Sequence, residues 1–278
     1  MSMATKGSDI EYPTGKDRIN GYLASPVDGK QHPGVIVIHE IFGLDPHTRS
    51  VADRMASEGY VALAPDLFSS RKLSEVITRE GIAATMEFIM SIPPDKQRDE
   101  NYRENLLNNI DNDKRKVIMD TYNMLLKNRP VDLLTGYLSS GVDYLHSLET
   151  VNGKIGSVGF CFGGGMSISL GCTGKVDATA IYYGENPEPL DKLKNVKNAV
   201  IGFYAGEDRR ITSKVPELVS KLFEYNKEVS VKIYPGAYHA FFNSTRPTIY
   251  NKRASEDSWR LLMSFYREIF GMQTQPML

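Results

Sequence analysis

The chain has 278 residues, is 41% hydrophobic and carries a formal net charge of −1 at pH 7. That length suits one large α/β domain with a well-buried core, or two small domains. A near-neutral balance argues against polyanionic partners, so neither nucleic acid nor a membrane surface is expected.

No uncharged run is long enough to span a bilayer, and the opening MSMATKGSDIEYPTGKD lacks the apolar stretch of a signal peptide. Cys161 and Cys172 are the only cysteines. On one helix they would stand about 16 Å apart along the axis, too far to bridge. Two unpaired thiols suit a reducing compartment, so a soluble cytoplasmic protein is expected.

Residues 9–13 and 18–25 alternate polar and apolar side chains around Thr14-Gly15-Lys16, which predicts an edge hairpin. Pro33-Gly34 then breaks the chain before Val35-Ile36-Val37-Ile38, a continuous β-branched run that reads as a central parallel strand. His39, Glu40, Ile41, Phe42 and Gly43 follow at its C-terminal end, where open α/β sheets bind ligands. Residues 47–58 read as a helix and 60–64 as the next strand, closed by Pro65-Asp66.

From about residue 69 to 129 the chain turns charged and amide-rich, notably over 96–104 and 108–116. Ile110, Val117, Ile118, Tyr122, Leu125 and Leu126 recur at helical spacing. Pro93-Pro94 separates a first helix, about 73–92, from this later part. The segment reads as a helical cap inserted into a single domain. Insertions of this kind commonly cover active sites.

After Pro130, residues 131–148 form a strongly periodic helix. Lys154 to Gly171, KIGSVGFCFGGGMSISLG, then reads as strand, tight turn and helix. Cys161 sits at the turn within Gly159-Phe160-Cys161-Phe162-Gly163-Gly164. This is the nucleophile-elbow pattern with cysteine in place of serine. Flanking glycines leave room for the strained turn, and the helix N-terminus favours a thiolate. The glycines match neither phosphate-loop nor dinucleotide-binding spacing. Further strands are expected at 177–184, 199–205 and 229–234, with helices at 212–226 and 246–270. The alternation predicts a mainly parallel sheet with helices on both faces.

Cys161, Asp208 and His239 each follow a predicted strand, in the nucleophile–acid–base order of the α/β-hydrolase fold. A histidine can take the thiol proton and later return it to the leaving group, while a carboxylate orients and stabilises the imidazolium. Glu207 rivals Asp208. His39, at a strand end, competes with His239, whereas His47 suits a helix start. Only His239 follows the acid.

The segments VIVIHEIFGL (35–44), YVALAPDLF (60–68), IGSVGFCFGGG (155–165), YYG (182–184), AGEDRRI (205–211) and YPGAYHAFFNSTRP with Trp259 closely resemble dienelactone hydrolases (carboxymethylenebutenolidases). The resemblance runs from about Ile19 to Phe270, apart from the polar insertion. It implies an α/β-hydrolase fold and a metal-independent, cofactor-free hydrolase of lactones or activated esters. By that resemblance Cys161, Asp208 and His239 form the triad and Glu40 modulates the thiol. The backbone N–H groups of Ile41 and Phe162 form the oxyanion hole. Where family members carry a carboxylate-binding arginine after the histidine, this chain has Asn243, with Arg246 the nearest arginine. Those two and Tyr183 are the candidate substrate-binding residues. The alternatives are a carboxylesterase or thioesterase acting on larger acyl groups beneath the cap, and a non-catalytic ligand-binding protein.

Overall fold

The structure, a computed structural model, describes residues 3–93, 96, 99–197 and 199–272. Among these residues, eight strands form one sheet: β1 (Thr5–Thr14), β2 (Asp17–Pro26), β3 (His32–Ile38), β4 (Val61–Pro65), β5 (Val151–Phe160), β6 (Ala178–Tyr182), β7 (Ala199–Ala205) and β8 (Glu228–Tyr234). Their order is β1-β2-β4-β3-β5-β6-β7-β8. Strand β2 runs antiparallel to both its neighbours, and every other pair is parallel. The expected hairpin is therefore the sheet's antiparallel edge.

The helices are α1 (Pro46–Ser57), α2 (Arg71–Ser74), α3 (Arg79–Ser91), α4 (Glu100–Asn108), α5 (Asn112–Tyr122), α6 (Val131–His146), α7 (Phe162–Gly171), α8 (Arg209–Thr212), α9 (Val215–Glu224) and α10 (Lys252–Phe270). Strand alternation feeds both faces of the sheet. Val35 and Val37 pack with Val51 and Met55 of α1 and with Trp259 and Leu262 of α10. Ile36 and Ile38 pack on the opposite side with Leu138 and Leu145 of α6. Each such side chain contributes about 1.5–3 kcal/mol through burial.

Three predicted helices differ in extent. The one expected over 73–92 is broken, because Thr78 is extended and its Oγ1 accepts the Gly81 N–H at 2.9 Å, starting α3 afresh. The one expected over 212–226 is shorter, α9 beginning at Val215 after the separate short α8, since Pro216 supplies no N–H and is tolerated only in a first turn. The closing helix begins at Lys252 rather than 246. Asn251 caps it by accepting the Ala254 N–H at 3.0 Å, and Pro247 lies among the turns before it.

The segment expected to be an insertion, residues 69–129, is largely helical among the described residues. Ile77, Ile82 and Leu125 root it in the core beneath the sheet. Phe88, Ile92, Leu107 and Ile118 form a separate apolar cluster farther out. Helix α5 runs into a π-helical turn, Asn123–Lys127. Of the Pro93-Pro94 break, Pro94 lies outside the described residues, as do 97 and 98 of the polar run.

Candidate active site

Strand β5 delivers Cys161 to a turn at φ 56°, ψ −116°. Positive φ in a non-glycine residue costs on the order of 1–3 kcal/mol and persists only where the surroundings enforce it. Here the Cys161 N–H donates to the Tyr182 carbonyl at 3.0 Å, and the Cys161 carbonyl accepts from Gly164 N–H at 2.9 Å. The turn closes only on glycine. A Cβ on Gly159 would stand 1.8 Å from the Gly163 oxygen, and one on Gly163 would stand 2.3 Å from the Ile38 oxygen.

Asp208 follows β7 and His239 follows β8. A backbone bond from Glu207 N–H to the Ala237 carbonyl, 3.0 Å, ties the two loops together. His239 Nδ1–H donates to Asp208 Oδ2 at 2.5 Å, while Glu207 is exposed. Burial works to lower the His239 pKa, but hydrogen bonds to Asp208 and Cys161 and their charges outweigh it, raising the value to about 10. The bond to Asp208 and the influence of Cys161 on its pKa put His239 near both the carboxylate and the thiol.

Glu40 is buried at the end of β3. Its Oε2 accepts from Asn243 Nδ2 at 3.0 Å. Its Oε1 has no partner among the described residues. Burial raises the Glu40 pKa, against the opposing influence of Asn243, His239 and Arg246. Asn243 is itself fixed by Thr245, whose N–H and Oγ1 donate to its Oδ1 at 3.0 and 2.6 Å.

Of the three residues expected to touch substrate, Asn243 and Tyr183 are buried and Arg246 is half-buried. Asn243 is buried and engaged with Glu40. Arg246 lies 5.8 Å from the Phe42 ring centre. Tyr183 is fully buried at φ 40°, its ring 5.1 Å from that of His239. None of them lines the cavity at Cys161.

His39 is not a rival base. The Leu67 N–H donates to its Nε2 at 3.2 Å, which leaves Nδ1–H to donate to the Glu40 carbonyl at 2.5 Å. Burial lowers its pKa and it packs beside Phe68 and Phe162. His47 does not cap α1; Asp45 does. Its ring sits by Phe160 and Phe242, its pKa lowered by burial.

Among the described residues, the backbone N–H groups of Ile41 and Phe162 have no hydrogen-bond partner. Both residues line a cavity of about 380 Å³ that reaches Cys161. The inserted helices supply Ile89, Ile92, Arg103, Tyr122 and Leu126 to its wall. Charge enters through Arg129, Glu185 and Arg210. Glu185 Oε2 meets Arg129 Nη1 at 3.5 Å, and its Oε1 accepts from Arg210. Burial would raise the Glu185 pKa, but the two guanidiniums hold it below the usual range. The Arg129 guanidinium lies 5.0 Å above the Phe162 ring. This trio escaped sequence reasoning. Its only local signals are the Arg210 in AGEDRRI and the Glu185 after YYG. Among the described residues no three His, Cys, Asp or Glu side chains gather so as to hold a metal ion.

The sequence profile of the dienelactone hydrolase family matches residues 19–270. The chain belongs to the dienelactone hydrolase family. The matched span contains Glu40, Cys161, Asp208 and His239. A Saccharolobus solfataricus protein named "Putative carboxymethylenebutenolidase" is 37% identical over 94% of this chain and 98% of its own. "Protein usf" of Aquifex pyrophilus is 28% identical, covering 94% and 98%. Among solved structures, a Klebsiella pneumoniae protein described as a putative dienelactone hydrolase superposes with a TM-score of 0.73 at 21% identity. That superposition covers 94% of this chain and 98% of the other. These dienelactone hydrolase folds share the α/β-hydrolase architecture described above, and this family member is a hydrolase by its lineage.

Proposed function

We propose that the protein hydrolyses a lactone or activated carboxylic ester through a thioester on Cys161. The observation that carries this reading is the hydrogen-bonded line Asp208–His239–Cys161 beside the two unpartnered N–H groups of Ile41 and Phe162. With His239 already holding the proton drawn from the thiol, the sulfur adds to the carbonyl carbon. The resulting oxyanion would sit between the two N–H groups. As the C–O bond breaks, the leaving oxygen takes the proton back from His239. Water then attacks the thioester, gives its proton to His239, and frees the acid and the thiol. Glu40, held by Asn243 with one oxygen unpartnered, is suited to accept the thiol proton and, when ionised, repels the thiolate, so its position matters as the site fills.

Arg129 and Arg210 share a single carboxylate, Glu185, leaving an excess of positive charge in the cavity wall. That excess supports a substrate bearing a carboxylate of its own, as a dienelactone does. The inserted helices in the same wall support a lid role for residues 69–129. The test is turnover of a dienelactone, a neutral lactone and p-nitrophenyl acetate by wild type and Cys161→Ala. Cysteine-dependent turnover led by the dienelactone is expected. Equal rates in the two proteins would sink the proposal.

A further inference from the structure

Strand β8 is an outer edge of the sheet. Among the described residues it pairs with β7 on one side and with no strand on the other. The Gly206 N–H donates to the Tyr234 carbonyl at 2.9 Å, so the backbone of Tyr234 faces β7. By alternation the N–H and C=O groups of Val229, Val231 and Ile233 point outward, open to another strand. The side chains of these three share one face of the sheet, where Val229 is half-buried against the cluster of Leu218 and Leu222 in α9. Val231 and Ile233 are left 36% and 43% exposed, and Phe223 of α9 79%. One such side chain needs no explanation, but a run of them beside unpaired backbone is a template for another strand. On the opposite face, a groove of about 900 Å³ flanks the same edge. Its wall sets Lys232, Lys252, Arg253 and Arg260 against the two acids Glu256 and Asp257, so it carries surplus positive charge.

We infer that the free edge of β8 binds a second copy of this chain, antiparallel about a twofold axis at Ser230, joining two sheets into one. The charge pattern of EVSVKIY selects both the occupant and the register. An axis at Ser230 sets Glu228 opposite Lys232 twice and Val229 opposite Val231 twice. An axis at Val229 sets Glu228 against Ser230, one at Val231 sets Glu228 against Tyr234, and one at Lys232 sets the two lysines face to face. Opposite charges across an antiparallel pair attract and like charges repel. Lys232 thus guards the edge against indiscriminate pairing yet admits this partner. Each Val229–Val231 pair exchanges two backbone hydrogen bonds, because both residues face outward. The Glu228–Lys232 pairs fall on the groove's face, where Lys232 also meets Asp257 at 2.6 Å. Glu228 of the second copy brings negative charge to the basic wall there.

The test measures the mass of the full-length protein by sedimentation equilibrium and traps the register by cysteine crosslinking. The wild type is expected to dimerise at micromolar concentration. Lys232→Glu turns both charge pairs into repulsions and should weaken the dimer about tenfold or more, and Glu228→Lys should do the same. The double variant Glu228→Lys/Lys232→Glu restores both pairs and should return to within about threefold of wild type. A cooperative urea unfolding transition checks that each variant is folded. The axis brings the two Ser230 Cα atoms to about 4.5 Å, within reach of a disulfide. Ser230→Cys should therefore crosslink on mild oxidation, above the background that Cys161 and Cys172 give in the wild type. Lys232→Cys should not, since its two copies stand about 13 Å apart along the strands. A monomeric wild type would overturn the inference. So would a dimer that both single reversals leave intact, or one that the double variant fails to restore. Crosslinking through Lys232→Cys in place of Ser230→Cys would refute the register and the charge pairing with it.

Discussion

Replacing Asp208 by asparagine tests how His239 is kept charged. Burial disfavours the imidazolium, yet the bonds to Asp208 and Cys161 carry its pKa from 6.5 to about 10. At ~1.36 kcal/mol per unit this gap sets a ceiling of about 5 kcal/mol, shared between the two partners. His239 is 31% exposed, so solvent screening reduces the usable part. The charge-assisted bond to Asp208 accounts for about 1.5–3 kcal/mol, equivalent to about one to two pKa units. The amide oxygen of the introduced asparagine could still accept the Nδ1–H, but without charge. His239 should then titrate about one to two pH units lower, by ring-proton NMR in both the native and Cys161→Ala backgrounds. The stability consequence has a definite sign. A histidine whose folded pKa is raised stabilises fully below its unfolded value of about 6.5, and that contribution is lost as pH rises through the folded value. Between pH 6.5 and 10 the native protein should therefore lose about 1.5–3 kcal/mol more than Asp208→Asn, measured by urea unfolding. An unchanged His239 titration in the variant would refute the argument.

Two further perturbations probe the surroundings. Asn243→Ala removes the hydrogen bond to Glu40 and leaves a buried carboxylate unsatisfied, at a cost of about 1–3 kcal/mol. Because the Glu40 pKa is already raised by burial above its ordinary 4.5, the loss should be larger at pH 8 than at pH 4, where protonation relieves it. Equal urea-unfolding losses at the two pH values would contradict this. Replacing Arg129 and Arg210 together by glutamine should lower kcat/KM for a carboxylate-bearing lactone at least tenfold relative to a neutral ester. A loss equal on both substrates would remove the anchoring role.

What could be read from the sequence was governed by the distance over which each cause acts. The run Val35-Ile36-Val37-Ile38 announces a central strand because burial on both faces demands apolar residues throughout. The glycines around Cys161 announce the elbow because the steric demand is local. Helix ends at Thr78, Pro216 and Asn251 also have local causes, but they lie inside periodic patterns that mask them. Side-chain partnerships were legible only where strand order forces them, as with Asp208 and His239. Glu40 and Asn243 are 203 positions apart, and Arg129 and Glu185 are 56 apart. Nothing in either neighbourhood records the other. Hence an asparagine that looked exposed to substrate proved to be a bracket for Glu40, and the arginines in the cavity wall went unnoticed.

The division of apolar contacts within the inserted helices bears on how the cavity can be reached. Ile77, Ile82 and Leu125 belong to the main core, whereas Phe88, Ile92, Leu107 and Ile118 form a cluster of their own, packed against by half-buried neighbours such as Ile89 and Met119. This smaller cluster buries less than the cores on the sheet, so it is expected to open at a lower free energy. Opening there would leave the sheet, and with it the spacing of Cys161, His239 and Asp208, in register. Amide hydrogens of α4 and α5 would then exchange through this partial opening, well below the free energy needed to unfold β5.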